Sequence, residues 1–443
     1  MLKIYNSLGR KIEEFKPIKE GEVGLYVCGP TVYGPDHLGH ARTYIFFDWL
    51  RRYFLMHDYK VKFIQNITDV GHLMGDAEEG EDKIEKEAKE ERKSPDEIAR
   101  YWENEHFADM KALDVLTPTE SPRATEHIND ITDFINVLIE KGFAYEKGGN
   151  VYFSVDKIPD YGKLSGRNLD EEKQGTRVEV DKKKKNPADF VLWLKADDTH
   201  LQKWPSPWGE GYPGWHIECS VMSRKYLGQP FDLHGAANEH IFPHHENEIA
   251  QSEAYAGKPL ANFWVHSGML TVGDQKMSKS KYNYITIKDV LKEVDADTIK
   301  IAFMNTAWKK PFDWSKSAIF EAQKVRERLV RAKEKAQTLK TGIPLLIDEA
   351  LENDFNVPQA LAVIMENISK LSQDDFKYIE EIFGLELEDK IELSKKQEEM
   401  MQQRENARKS GDYGLADELR KKLYKEGIIV EDTASGSRIS LRG

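Results

Sequence analysis

At 443 residues, with 40% hydrophobic and 32% charged side chains, the chain has core material for roughly two to four domains and no apolar run long enough for a membrane-spanning helix. Two cysteines exclude a disulfide framework and fit a reducing compartment. The start, Met1-Leu2-Lys3-Ile4-Tyr5, lacks the layout of a secretion signal, so the expected location is the cytoplasm. A net charge of −13 makes the surface as a whole repel polyanions, and any nucleic-acid contact must use local basic patches.

Residues 3–27 read as short strands about a Gly9-Arg10 turn. The β-prone run Val23–Val27 stops at Cys28, and Gly29-Pro30-Thr31 through His37-Leu38-Gly39-His40 leads into an amphipathic helix expected over Ala41–Leu55. A strand that turns through glycine into a helix N-terminus offers unpaired N–H groups and a positive dipole end to an anion. Two imidazoles three residues apart can serve the same ligand. A strand over Tyr59–Ile64 ends at the polar tip Gln65–Asp69, which suits a crevice at strand C-termini. Strand, helix and strand together predict a parallel sheet of nucleotide-binding type.

The acidic stretch 76–97 reads as a solvated helix laced with i,i+4 ion pairs. Ser94-Pro95 opens a further helix, and Thr117–Pro122 breaks the pattern. A helix over Thr125–Lys141 and strands at Val151–Val155 and Gly175–Val180 read as an α+β insertion, with a basic tip at Lys182–Lys185. A rigid Pro/Gly/Trp-rich loop, Pro205–Trp215, leads to a helix from His216 that carries Cys219. Asp232-Leu233-His234-Gly235 ends another strand, and Phe242-Pro243-His244-His245-Glu246-Asn247-Glu248 opens another helix. His244 and Glu248 are four apart, on one helical face, where two side chains can serve one metal; surface ion pairs use the same spacing. If Cys28, Cys219, His244 and Glu248 converge, the two thiolates, imidazole and carboxylate make a zinc site. Gly273–Lys281, with Lys276-Met277-Ser278-Lys279-Ser280, reads as a mobile cationic loop able to neutralise charge on a departing polyphosphate.

After Trp314 the chain turns helical. Helices are expected over 316–340, 348–371, 373–383 and 392–425, with breaks at Gly342–Pro344, Asn356–Pro358 and Gly384. The last carries Arg404, Arg408, Lys409, Arg420, Lys421 and Lys422, and the small polar tail from Ala434 is expected to be mobile.

His37–His40 resembles the HIGH signature, and Lys276–Ser280 the KMSKS signature, of class I aminoacyl-tRNA synthetases. Val27–Tyr33, Gly214–Ser220, Phe242–Ser252, Pro122–His127 and Gly427–Thr433 are similar to the cysteinyl-tRNA synthetase family, and the likeness runs along nearly the whole chain. It implies an α/β fold: a Rossmann-type parallel-sheet catalytic domain in two halves (1–116 and 205–264), a connective insertion (117–204), a KMSKS-loop stem-contact region (265–315), a C-terminal α-helical bundle (316–389) and an anticodon-binding region (390–443). The implied reaction joins L-cysteine to ATP and passes the cysteinyl group to the 3′-terminal adenosine of tRNA(Cys).

By the resemblance, one zinc per chain sits on Cys28, Cys219, His244 and Glu248 and takes the substrate thiolate, which would set cysteine apart from serine without an editing domain. His37 and His40 act on the ATP phosphates, accompanied by magnesium. Lys276 and Lys279 act on the leaving pyrophosphate. Gly29, Thr31, Gly39, Trp215, His234 and Glu239 line the pocket, Glu239 standing where the family usually has Asp. Gly235-Ala236-Ala237 departs from a triple glycine, and Ser437-Arg438-Ile439-Ser440 from the usual tail. The chain is expected to act as a monomer without membrane contact. Two other readings are a cysteine-activating ligase of the mycothiol pathway and a catalytically silent zinc- and tRNA-binding module.

Overall fold

A computed structural model describes residues 1–71, 83–167, 184–273, 275–277, 283–388, 393–433 and 436–441, in two compact units, Met1–Leu385 and Glu386–Gly443. The larger unit opens with an antiparallel hairpin, β1 (Lys3–Asn6) and β2 (Lys11–Glu14), which turns at Gly9 and Arg10, both at positive φ. Next come β3 (Glu22–Val27), α1 (Leu38–Met56) and β4 (Lys60–Gln65), then α2 (Lys83–Glu91), α3 (Pro95–Ala112) and α4 (Ile128–Glu140). An antiparallel sheet follows, in the order β5 (Ala144–Lys147), β6 (Asn150–Phe153), β7 (Phe190–Lys195), β8 (Gly211–Pro213). The chain then forms α5 (Trp215–Leu227), β9 (Phe231–Ala237), α6 (His244–Ala256) and β10 (Ala261–Ser267).

The central sheet runs β10-β9-β3-β4 with every neighbour parallel. Leu25, Tyr26 and Val27 are all buried, as a strand covered on both faces requires. Sheet register sets Val27 beside Gly235 and Gln65. The segments that carry Cys28, Asn66 and Ala236 therefore leave the sheet at one edge. The antiparallel sheet and α4 pack on α5 and α6 through Phe134, Phe153, Trp193, Ile217 and Ala250. That sheet extends past residue 204, because the Gly211–Pro213 segment of the Pro/Gly/Trp-rich loop pairs with β7.

Several expectations need correction. Helix α1 starts at Leu38 rather than Ala41, because His37 caps it: its side chain accepts a hydrogen bond from the His40 N–H. Helix α2 is not solvated all round. Ile84 and Ala88 bury against Ile98, and the buried Glu85 carboxylate lies 3.2 Å from His200 Nδ1. The Gly175–Val180 strand and Lys182 and Lys183 of the basic tip lie outside the described residues. Of the tip, Lys185 has its ammonium over the Tyr145 ring.

Beyond β10 lie the small sheet β11 (Leu270–Val272), β12 (Gln275–Lys276) and β13 (Phe312–Asp313) and six helices: α7 (Ile287–Leu291), α8 (Ala296–Met304), α9 (Lys316–Lys333), α10 (Ile343–Leu351), α11 (Val357–Glu366) and α12 (Gln373–Phe383). The helix expected over 348–371 is broken. Asp354 and Phe355 adopt positive φ, and backbone hydrogen bonds of 2.8 Å tie Glu352 and Asp354 to Lys3 of β1.

The smaller unit is α13 (Lys395–Lys409), α14 (Tyr413–Lys425) and the hairpin β14 (Ile428–Thr433) with β15 (Gly436–Leu441). Gly411, at positive φ, splits the single helix expected over 392–425, and Asp412 caps the second piece. The tail is not a loose extension: residues 436–441 pair with β14. Arg404, expected on a basic face, is buried and makes two hydrogen bonds, of 2.7 and 2.8 Å, to the Asp432 carboxylate.

Gly235 sits at mid-sheet, where an added Cβ would lie 2.3 Å from the Phe47 ring. Gly235→Ala should therefore cost about 1–3 kcal/mol of stability through overpacking. Thermal melts will check this, and an unchanged midpoint would show that Phe47 can move aside freely.

Candidate functional site

At the edge where the parallel strands end, Cys28, His244, His245 and Glu248 bring donor atoms within 4.8 Å of one another, all of them buried. Cys28 follows β3, while the other three occupy the first turns of α6. The Cys219 thiol, on α5, interacts with both Cys28 and His244. The structure thus brings three of the four residues expected to hold zinc, Cys28, His244 and Glu248, into one cluster, leaves Cys219 next to Cys28 and His244 but outside it, and adds His245, which the sequence reading did not single out. His245 Nε2 lies 3.2 Å from Cys28 Sγ, and its Nδ1 lies 2.8 Å from His266 Nε2. Two sequence signals could have found these histidines: His245 is three residues before Glu248, on the same helical face, and His266 is near the C-terminus of its strand.

Glu248 has no exposed surface, and its two oxygens are divided between partners. Oε2 is 2.9 Å from His234 Nε2, and Oε1 is 2.9 Å from His244 Nε2. Burial alone would push this carboxyl up, but His234 and His244 outweigh it and hold it at about 2. Burial works against the His244 cation, and Glu248 and Cys219 overcome that to raise it to about 10. Burial and neighbouring imidazoles lower His240 to about 3 and hold His245 and His266 well below the ordinary range, so these rings stay neutral. The donor set fits a metal. Close as it is to Glu248, His244 Nε2 makes no aligned hydrogen bond. Sulfur, imidazole and carboxylate donors in a buried cluster match a zinc ion.

Other expected pocket residues fall around this cluster. The Trp215 ring, at the start of α5, lies 4.2 Å from the His244 ring, which puts an aromatic wall beside the donors. His234 is fully buried, stacks on Trp264 and holds Glu248 from below. Glu239 is exposed on a short turn after β9, and Thr31 makes a backbone bridge to Thr68. Gly29 N–H donates to Asn66 Oδ1 at 2.9 Å, and a Cβ there would lie 1.6 Å from the Asn66 carbonyl oxygen. Of the two added methyl groups, that of Ala236 is buried in the core with Tyr26 and Trp264.

At the N-terminus of α1, the His37 and His40 rings stack with centroids 3.8 Å apart. A Cβ on Gly39 would lie 2.8 Å from the His37 ring, so this glycine makes the stack possible. Leu38 N–H donates to the Ile285 carbonyl, and Ile287 N–H to that of Asp36. The segment just after the second signature is thereby fastened to the first. Met277, within that signature, has its Cε 3.7 Å from the Gly39 Cβ position. Lys279 and the Lys276 side chain lie outside the described residues.

Comparison with known proteins agrees with this geometry. Residues 14–324 match the family of tRNA synthetases class I (C) catalytic domain, and residues 391–439 match the cysteinyl-tRNA ligase anticodon binding domain. The chain is 42% identical to a cysteine–tRNA ligase of Chlorobium luteolum, with 98% of each chain covered, and 41% identical to one from Thermococcus onnurineus, again with 98% of each covered. Among solved structures, the methionyl-tRNA synthetase of Mycobacterium tuberculosis with methionyl-adenylate shares the fold at a TM-score of 0.54 and 13% identity, covering 82% of each chain. The Agrobacterium radiobacter LeuRS–tRNA–LeuAMS complex does so at 0.57 and 10%, covering 84% of each.

Two donor sets compete for a metal here, one using Cys219 and one using His245. With both cysteines present, the thiolate-rich set is expected, since soft donors favour zinc. Cys219→Ser should then abolish stoichiometric zinc, read by elemental analysis, while His245→Ala retains it. The reverse pattern would exclude Cys219 as a ligand.

Proposed function

The chain belongs to the cysteine–tRNA ligase family of class I synthetases, and on that footing we propose how its own residues carry the reaction. The ligase activates L-cysteine with ATP and passes the cysteinyl group to tRNA. The observation that carries the reading is the buried Cys28–His244–His245–Glu248 cluster, with Cys219 next to Cys28 and His244, in a chain whose first βα turn also carries the His37–Gly39–His40 helix N-terminus. Zinc bound at that cluster would supply affinity for a thiolate over a neutral hydroxyl. A pocket without such a donor separates near-isosteres only about a hundredfold.

The substrate carboxylate attacks the α-phosphorus of ATP and expels pyrophosphate. No covalent enzyme intermediate is required, so catalysis rests on positioning and on charge stabilisation. In this reading His37 and His40, at the positive end of α1, take the phosphates. Gly39 lets the nucleotide approach the backbone, and Gly29 and Thr31 shape the turn before it. Lys276 and Lys279 neutralise the departing pyrophosphate, with magnesium on the ATP. Trp215 closes the cysteine pocket, His234 steadies Glu248, and Glu239 is available to a ribose hydroxyl. The smaller unit reads the tRNA, and Arg420, Lys421 and Lys422 on its exposed helical surface are better placed for phosphates than the buried Arg404. We further assign the enzyme to the cytoplasm as a monomer; no described helix is long and apolar enough to cross a membrane.

Chelation should remove cysteine-dependent ATP–pyrophosphate exchange, and zinc should restore it. Normal exchange kinetics in protein shown by elemental analysis to be metal-free would remove the zinc mechanism. Truncation after Gly384 should spare exchange and impair tRNA charging; equal charging by the truncated chain would take the tRNA-reading role away from the smaller unit.

A further inference from the structure

One buried cluster of charge stands apart from the metal-type site. Asp36 immediately precedes His37, the N-cap of α1, and is 5% exposed. Its carboxylate bridges two imidazoles. Oδ1 is 2.7 Å from His40 Nδ1, and Oδ2 is 2.5 Å from His106 Nδ1. His106 comes from α3, is 2% exposed, and has no hydrogen-bond partner at Nε2. Among the described residues, the polar contact of its ring is Asp36. The His106 ring meets the Tyr44 ring edge-on at 5.4 Å, and Tyr44 in turn stacks near His40 at 6.2 Å. His40 is thus held by a carboxylate at one ring nitrogen and by rings on either side, His37 and Tyr44.

Burying a carboxylate beside two histidines is a poor route to stability, because desolvation offsets much of the attraction. It is an effective way to fix a ring. His40 Nδ1 is 2.7 Å from the carboxylate and 3.5 Å from the His37 amide. The shorter, charge-assisted contact makes Nδ1 a donor to the carboxylate and fixes the direction in which Nε2 points. The carboxylate is charged: burial opposes this, but His106 and His40 hold Asp36 well below the usual range. Its charge also contributes, after burial, to raising the neighbouring Asp109 to about 7.

We propose that Asp36, clamped from behind by His106, is a positioning residue for adenylate formation that fixes the tilt of His40 and so the stacked His37–His40 pair. The proposal rests on the reading that His40 takes the ATP phosphates. It adds that α3 contributes to the catalytic site through one buried imidazole.

Cysteine-dependent ATP–pyrophosphate exchange tests it with Asp36→Ala, Asp36→Asn, His106→Gln and His40→Asn, the first three also in the His40→Asn background. Asp36→Ala should lower kcat about tenfold or more with the KM for cysteine nearly unchanged, in the range seen for residues that orient a functional histidine. Asp36→Asn should lose less, since its amide oxygen still accepts from one ring. In the His40→Asn background, Asp36→Ala should cost almost nothing further, because the group it orients is gone. A merely structural role would cost as much in either background and would overturn the proposal. So would a kcat unaffected by both Asp36→Ala and His106→Gln. If Asp36→Ala fails to fold, His106→Gln in the two backgrounds makes the same comparison. Exchange at the parental rate in His40→Asn would remove the phosphate role of His40 and this proposal with it. Exchange lost in His40→Asn but indifferent to Asp36→Ala and His106→Gln would remove this proposal alone.

Discussion

Glu248 is a carboxylate without solvent, and much of the catalytic unit is arranged around that fact. A buried charge survives only with close partners. Here His234 comes from β9, His244 from the same helical face one turn earlier, and Cys28 from the end of β3, 4.0 Å from Oε1. Each partner needs its own backbone placed to within a fraction of an ångström. The all-parallel register of β10-β9-β3-β4 provides this by aligning strand ends at one edge. Gly235 takes part by admitting Phe47 of α1 against the sheet.

The second polar region obeys the same logic at the other end of the crevice. His37 caps α1, His40 stacks on it, and Asp36 joins His40 to α3. Strand-end and helix-start residues thus form two centres. One is rich in sulfur and imidazole; the other joins two stacked imidazoles to a helix N-terminus. Asn66 and Thr68 follow β4 at the same end of the sheet. Asn66 Nδ2 donates to Thr68 Oγ1 at 3.1 Å, and Thr68 Oγ1 donates to Glu218 of α5 at 3.2 Å. Class I chemistry needs little more than correct distances between a carboxylate nucleophile and a phosphorus. A rigid sheet edge is well suited to hold such distances.

Much of the fold class could be read from the residues. The Val23–Val27 run, the glycine turn and the helix after His40 announced a parallel βαβ unit, because hydrophobic period and turn chemistry are local properties. The breaks at Gly342, Asn356 and Gly384 were equally local. Misreadings occurred where a distant segment decided the outcome. The gap around the expected break at Asn356–Pro358 opened several residues early, because residues 352–354 pair with Lys3, more than 340 residues away in sequence. The acidic α2 turned a buried face inward because Ile98 and His200 were there to receive it. The polar tail became a strand because β14 offered it an edge.

For the site, the sequence by itself determined the inventory: two signatures, two cysteines in crevice-like turns, and a His–Glu pair at helical spacing. Residue type fixes which bonds a side chain can make, so the chemistry of thiolate and phosphate recognition was legible. Only the tertiary structure decided which inventory members meet. It added His245 to the donors with His266 behind it, turned His234 beneath Glu248, sent Arg404 into an internal pair with Asp432, and linked His106 to His40 through Asp36. Those contacts span 14 to 217 residues of chain where the metal-type cluster is concerned. No local pattern encodes a separation of that length; it is set by strand register and by the demand that every buried charge find a counterpart.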